Sequence, residues 1–128
     1  MKPIDNASYI LFGTQKKDGT MVDTPVWFAS DQTHYYVFSA ANAGKVKRLR
    51  NFSNARIAPC NVTGKPLGSN CNTQAELITL PEEITHAHQQ LTIKYGWQMR
   101  GLDWLSKLSG KYNKRAFIKI IKPSKQLP

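Results

Sequence analysis

The stretch FSAANAGKVKRLRN, residues 38–51, decides how the chain is read. It closes an aromatic, β-branched run, HYYVFSA (34–40), with the composition of a strand. A run of small residues follows: Ser39, Ala40, Ala41, Ala43 and Gly44. The period then changes, because Val46, Leu49 and Phe52 recur every three residues, an apolar stripe suited to a short helix starting near Gly44 and lying on a sheet. That stripe leaves Lys45 and Arg48 on one flank and Lys47 and Arg50 on the other. A helix start offers free N–H groups and the positive end of its dipole, and small residues let a ligand approach the backbone. The segment is therefore a solvated charged face, a nucleic-acid patch or a seat for a phosphorylated ligand.

Outward toward the N-terminus the chain reads as strands. YILFGT (9–14) is apolar, KDG (17–19) supplies the Asp-Gly of a tight hairpin turn, and TMVDTPVWFAS (20–30) follows. A polar turn, SDQT (30–33), leads into 34–40, which makes a three-strand meander with short loops. Pro25 falls inside the second strand; since proline gives the ladder no N–H, that position is expected at an edge or a bulge. After the helix, NARIAPCN (54–61) reads as a strand with an interior proline, Pro59. In CNTQAELITL (71–80), Cys71, Thr73, Ala75 and Leu77 alternate with Asn72, Gln74 and Glu76, a half-exposed strand. Pro81 and the acids Glu82 and Glu83 open a helix that closes at Gly96. A second helix carries Trp97, Gly101, Trp104, Leu105 and Leu108 on one face and stops at Gly110; RAFIKIIKP (115–123) is the last strand. Residues 1–128 are thus expected to form one mainly β domain with helices (α+β), a partly open barrel of five to six antiparallel strands with a short helix after the third and two helices before the last.

Composition narrows the function. The net charge of +10 favours anionic partners, and the hydrophobic fraction of 41% is that of a globular chain. Two cysteines, Cys60 and Cys71, and three histidines, His34, His86 and His88, have no metal-ligand spacing, so no metal is expected. The N-terminal MKPIDNASYILFG lacks the length and flanks of a secretory signal, and no apolar run is long enough to span a bilayer. A cytoplasmic protein without a membrane partner is the expectation. No GxGxxG or GxxxxGK[ST] occurs, and no catalytic acid or base stands out.

Two blocks at their mutual spacing carry a resemblance: Thr14, Asp18-Gly19 and TPVWF (24–28), then GKVKRLR (44–50). With ARIAPC (55–60) and the late YGW (95–97), the chain resembles the pyridoxamine 5'-phosphate oxidase-like split-barrel superfamily of flavin-binding proteins, and most closely its branch that uses the deazaflavin coenzyme F420. The resemblance implies an FMN-binding-like split β-barrel, a homodimer with the cofactor at its interface, and hydride transfer between bound FMN or coenzyme F420 and a conjugated small-molecule substrate. It places the backbone of Thr24, Pro25, Val26 and Trp27 along the pyrimidine edge of the ring. It puts Ser39, Gly44 and Lys45 at the phosphate with Arg48 nearby, and makes Trp97 and Arg100 candidates to close a partner's site. The oxidase proper has arginine where Thr24 aligns and Ser-Arg where Ala43-Gly44 stand, which argues against pyridoxamine phosphate oxidation. A flavin-holding or sensor protein without turnover is one alternative. A single-strand nucleic-acid module is another; HYYVF could stack bases, but its aromatics alternate between faces and no RNP pattern is present.

Overall fold

A computed structural model describes residues 4–108 and 115–123. Seven strands, β1 (Tyr9–Gln15), β2 (Met21–Trp27), β3 (Ala29–Ser30), β4 (His34–Ala40), β5 (Asn54–Cys60), β6 (Cys71–Leu77) and β7 (Arg115–Ile121), form one antiparallel sheet in the order β2-β1-β5-β6-β7-β4-β3. Three helices accompany it: α1 (Gly44–Asn51), α2 (Pro81–Tyr95) and α3 (Trp97–Leu108). The fold is the expected α+β split barrel, with one strand more than expected. The stop placed at Gly110 lies outside the described residues.

The extra strand corrects the meander. Residues 20–30 do not form one strand but split at Phe28 into β2 and β3, which are the two outermost strands of the sheet. A single residue therefore links the opposite edges, and the sheet has to curl until those edges approach, so that β2 comes up against β4 without pairing to it. β6 makes the other corner. Its first half pairs with β5 (Ile57↔Cys71 to Asn54↔Gln74) and its second half with β7 (Ala75↔Ile120 to Leu77↔Ile118).

Both prolines fit this geometry. Pro25 sits on the edge strand β2 opposite Leu11, where one side of the backbone has no ladder to serve. Pro59 is paired with Ile10 of β1, but the β5–β6 register ends at Ile57, so its missing N–H disrupts nothing on the other side. The Lys16–Thr20 turn closes as its Asp-Gly requires: Gly19 has φ +90° and the Asp18 carboxylate accepts from the Thr20 amide at 3.0 Å.

The curled sheet buries both faces of β4. Tyr35 and Val37 point into the barrel with Ile10, Phe12, Phe28, Ile57, Ile118 and Ile120. Tyr36 and Phe38 point out, onto a second core with Ala87 and Leu91 of α2, Met99 of α3, and Phe117. That is why 34–40 reads as a nearly unbroken apolar run. Cys60 is buried and Cys71 half-buried, and neither is bonded to the other. α2 is fixed to the sheet by polar contacts at the rim of this second core. Asp31, in the β3–β4 turn, accepts from the Tyr36 hydroxyl (2.7 Å) and meets His86 Nε2 (2.9 Å). α3 is held by Asp103, which meets His88 Nε2 at 2.7 Å and accepts from Arg115 Nη1 at 2.9 Å.

Candidate anion and ring site

α1 begins where the sequence places it. Ala43 stands at its N-cap in an extended conformation with no side-chain cap; its carbonyl accepts from the Val46 and Lys47 amides, which leaves the Gly44 and Lys45 amides at the open end of the helix. Val46 and Leu49 are buried, which fixes the rotation of the helix. Burying two such side chains is worth about 1.5–3 kcal/mol each. The two basic flanks then separate: Lys45 and Arg48 are half-buried, whereas Lys47 and Arg50 are exposed.

The inner flank is a pair of cations without a counter-charge. Among the described residues neither Lys45 nor Arg48 has a carboxylate within ion-pair distance. Burial, and then the neighbouring Arg48 charge, push the Lys45 ammonium below the usual lysine range. Arg48 folds back toward the start of its own helix. Its Nε donates to Thr14 Oγ1 at 2.6 Å, and Thr14 is fully buried. The guanidinium lies so close to Gly44 that a Cβ there would meet Nη1 at 2.8 Å. Glycine at position 44 thus makes room for the charge, and no left-handed backbone is involved.

Strand register connects this corner to β2. Thr14 pairs with Val22 and Phe12 with Thr24, so Thr14 and Thr24 are diagonal neighbours on the barrel-interior face. Thr24 Oγ1 is shut off from solvent and has no hydrogen-bond partner in the described residues. Such a group normally finds one. Pro25 is exposed beside it. Val26 packs on the barrel core. The outer edge of β2 carries backbone groups that no strand pairs. Ser39 lies at the end of β4, opposite Ala116, on the same barrel-interior side as Tyr35 and Val37.

Trp27 is used otherwise. Its ring stacks on Tyr95 with centroids 4.3 Å apart and planes within 10°, so its backbone is available at the β2 edge but its indole is committed to packing. The Tyr95 hydroxyl accepts from the Phe28 amide at 2.9 Å and faces the carbonyls of Ser8 (2.8 Å) and Phe28 (2.9 Å). Burial pushes this phenol up to about 12. Trp97, only two residues on, is exposed.

The structure therefore brings Gly44 and Arg48 of α1 to Thr14, with Thr24 one diagonal step away on β2; Lys45 shares the inner flank of α1, Pro25 faces the opposite side of its strand and Ser39 lies near the end of β4. Two residues that organise this corner carry no role in the sequence reading. Thr14 holds Arg48 through a buried hydroxyl, and Tyr95 clamps the Phe28 link. Both stand inside the motif blocks, but no local pattern marks a side chain whose partner is dozens of residues away.

No family model matches the chain, and no curated protein is similar to it in sequence. Solved structures match it over most of its length. The heme storage protein HutZ of Vibrio cholerae is 12% identical over 93% of this chain and 84% of its own, with a TM-score of 0.69. A pyridoxamine 5'-phosphate oxidase-like protein of Listeria innocua is 13% identical over 92% and 86%, with a TM-score of 0.61. An F420 reductase is 12% identical over 94% and 90%, with a TM-score of 0.60. The chain has the pyridoxamine 5'-phosphate oxidase-like split-barrel fold these proteins share.

Proposed function

We propose that this protein is a cytoplasmic, homodimeric oxidoreductase that binds FMN or coenzyme F420 at the β2–α1 corner and works on a conjugated small-molecule substrate. The observation that carries the proposal is the half-buried, uncompensated pair Lys45 and Arg48 beside the uncapped start of α1. Two half-buried like charges with no carboxylate beside them in the described residues favour an anion at the site. A phosphate monoester or diester supplies that charge and accepts from Lys45, Arg48 and the first helical amides at once.

The donor set fits the rest of such a cofactor. The unpaired backbone edge of β2 at Thr24–Trp27 offers amides and carbonyls to a heterocycle. In a flavin or deazaflavin the bound ring itself carries the hydride, so the protein has to bind, orient and exclude water rather than supply an acid or base. The likeness in fold to an F420 reductase and to a pyridoxamine 5'-phosphate oxidase-like protein supports this chemistry. The likeness to a heme storage protein supports a second possibility, a pocket that holds its cofactor without turnover.

The test is a titration of the purified protein with FMN and with F420, followed by fluorescence quenching and by the absorption of the bound ring. Saturable binding of one of them, weakened in Gly44→Ala because the new Cβ displaces the Arg48 guanidinium, is the expected result. Absence of binding to both refutes the assignment, and equal affinity in Gly44→Ala removes the Arg48 guanidinium from it. Turnover with an artificial electron acceptor then separates an enzyme from a holding protein.

A further inference from the structure

β2 is an edge strand, paired with β1 on one side only, and yet its outward side chains are tied down. Asp23, Pro25 and Trp27 share the face opposite Thr24 and Val26. At one end Arg56 of β5 reaches over β1 to Asp23: its Nε donates to Oδ1 at 3.0 Å and its Nη2 to Oδ2 at 2.5 Å. That crossing needs glycine at position 13, which pairs with both residues, because a Cβ there would lie 2.2 Å from Asp23 Oδ1. At the other end Trp27 is stacked on Tyr95. Pro25 stands between these two ties.

The middle of the strand is met by the connection between β5 and β6. Gly64, at φ +90°, faces Pro25 and Leu11 so closely that a Cβ there would lie 3.7 Å from the proline ring and 3.8 Å from Leu11 Cδ1. One oxygen closes this loop: Asn61 Oδ1 accepts from the Thr63 amide (3.0 Å), the Thr63 hydroxyl (2.7 Å) and the Lys65 amide (2.9 Å). The Asn61 backbone closes the same turn, its amide donating to the Lys65 carbonyl and its carbonyl accepting from the Gly64 amide, both at 3.0 Å. The Leu67 amide donates to the Pro59 carbonyl at 2.7 Å and ties the loop back to β5. With its polar groups fixed in this way, the 61–67 segment is a stiff arm laid across β1 onto Pro25.

We infer that, granted the ring placement proposed for Thr24–Trp27, Asn61 is a positioning residue for that site: through the 61–67 arm it holds Pro25, and with Pro25 the strand edge that the ring would contact. A ligand bound by a strand edge gains affinity when the amides and carbonyls it meets are already in place. An edge with no neighbouring strand takes that order from side-chain ties instead. The acceptor oxygen is the part of Asn61 that does this, since its amide nitrogen makes no hydrogen bond among the described residues. Asn61→Asp therefore keeps the arm closed, and Asn61→Ala opens it.

The experiment titrates the parent protein, Asn61→Ala, Asn61→Asp and Gly64→Ala with FMN and with F420, and records the absorption of the bound ring at saturation. Asn61→Ala should weaken binding about three- to tenfold and move the saturated band toward that of the free cofactor, and Asn61→Asp should restore both. Gly64→Ala forces a side chain into a left-handed backbone position against Pro25; it should give the same loss, and it replaces Asn61→Ala if that variant does not fold. A variant that had lost only stability would reach the parent's band at saturation, and that result overturns the role of Asn61. Parent-like affinity in Asn61→Ala, or an Asn61→Asp protein as weak as Asn61→Ala, overturns it as well. In these cases the parent still binds and the ring site stands. A parent that binds neither cofactor removes the ring site itself, and the role of Asn61 with it.

Discussion

Replacing Tyr95 by phenylalanine removes one oxygen from the point where the chain crosses between the two sheet edges. That oxygen accepts from the Phe28 amide at 2.9 Å and donates its single proton to a carbonyl, with Ser8 O at 2.8 Å and Phe28 O at 2.9 Å both in reach. Two backbone groups, one donor and one acceptor, lose their partner. A net loss of about 1 kcal/mol for each gives roughly 2 kcal/mol of stability. For a chain of this size that lowers the melting temperature by about 8 °C. The stack on Trp27 survives in Tyr95→Phe, whereas Tyr95→Leu also forfeits an aromatic pair, adding about 1 kcal/mol. Urea unfolding followed by far-UV circular dichroism measures both variants. Hydrogen exchange at the Phe28 amide, accelerated in Tyr95→Phe, localises the effect. A Tyr95→Phe protein within about 0.5 kcal/mol of the parent, or one as unstable as Tyr95→Leu, would refute the clamp.

Lys45→Ala should weaken cofactor binding by about 1.5–3 kcal/mol, a ten- to hundredfold loss, while Lys47→Ala on the exposed flank changes it far less; equal losses in a fluorescence titration would reduce the site to a diffuse field. Lys94 lies over the Phe28 ring at 3.4 Å, and burial lowers its ammonium to about 8. The folded protein therefore sheds this proton before the unfolded chain does, so stability rises with pH from about 8 toward 10.5, and Lys94→Met should flatten that rise in denaturant midpoints measured across the window. Asp31 is also shifted downward, but there the shift is stabilising and its window is acidic. Burial opposes its charge, but the Tyr36 hydroxyl, the Thr33 and His34 amides and His86 together hold it well below the usual carboxylate range, so its contribution is present above the ordinary aspartate range and lost only in strong acid. Asp31→Asn should remove that acid dependence from melting temperatures recorded between neutral and low pH. Light scattering at micromolar concentration should give a dimer; a monodisperse monomer would remove the homodimer from the proposal.

Local sequence determined a good deal. Strand β4 and helix α1 begin and end where periodicity changes, at 34–40 and from Gly44, because a period of two gives way to a period near 3.6 within a few residues. The flanks of α1 followed from the same arithmetic: once Val46 and Leu49 are buried, Lys45 and Arg48 have to share a side. Alternation in 71–77, the Asp-Gly turn, Pro81 at a helix start and Pro25 at an edge were equally legible, since each rests on the conformational limits of one residue or its nearest neighbours. Sequence could not show that 20–30 is two strands. Nothing in TPVWFAS marks Phe28 as a crossing point, and only closure of the barrel, which sets β2 and β3 at opposite edges, makes it one. The same holds for side chains whose partners are distant in sequence. Arg48 on Thr14, Tyr95 on Phe28 and Asp103 between His88 and Arg115 are consequences of packing that no local pattern encodes. The outer face of α3 is the sharpest case. An amphipathic helix announces one apolar stripe but not which side the protein will cover, and here a single methionine and a paired aspartate took the inward side and left the tryptophans in water.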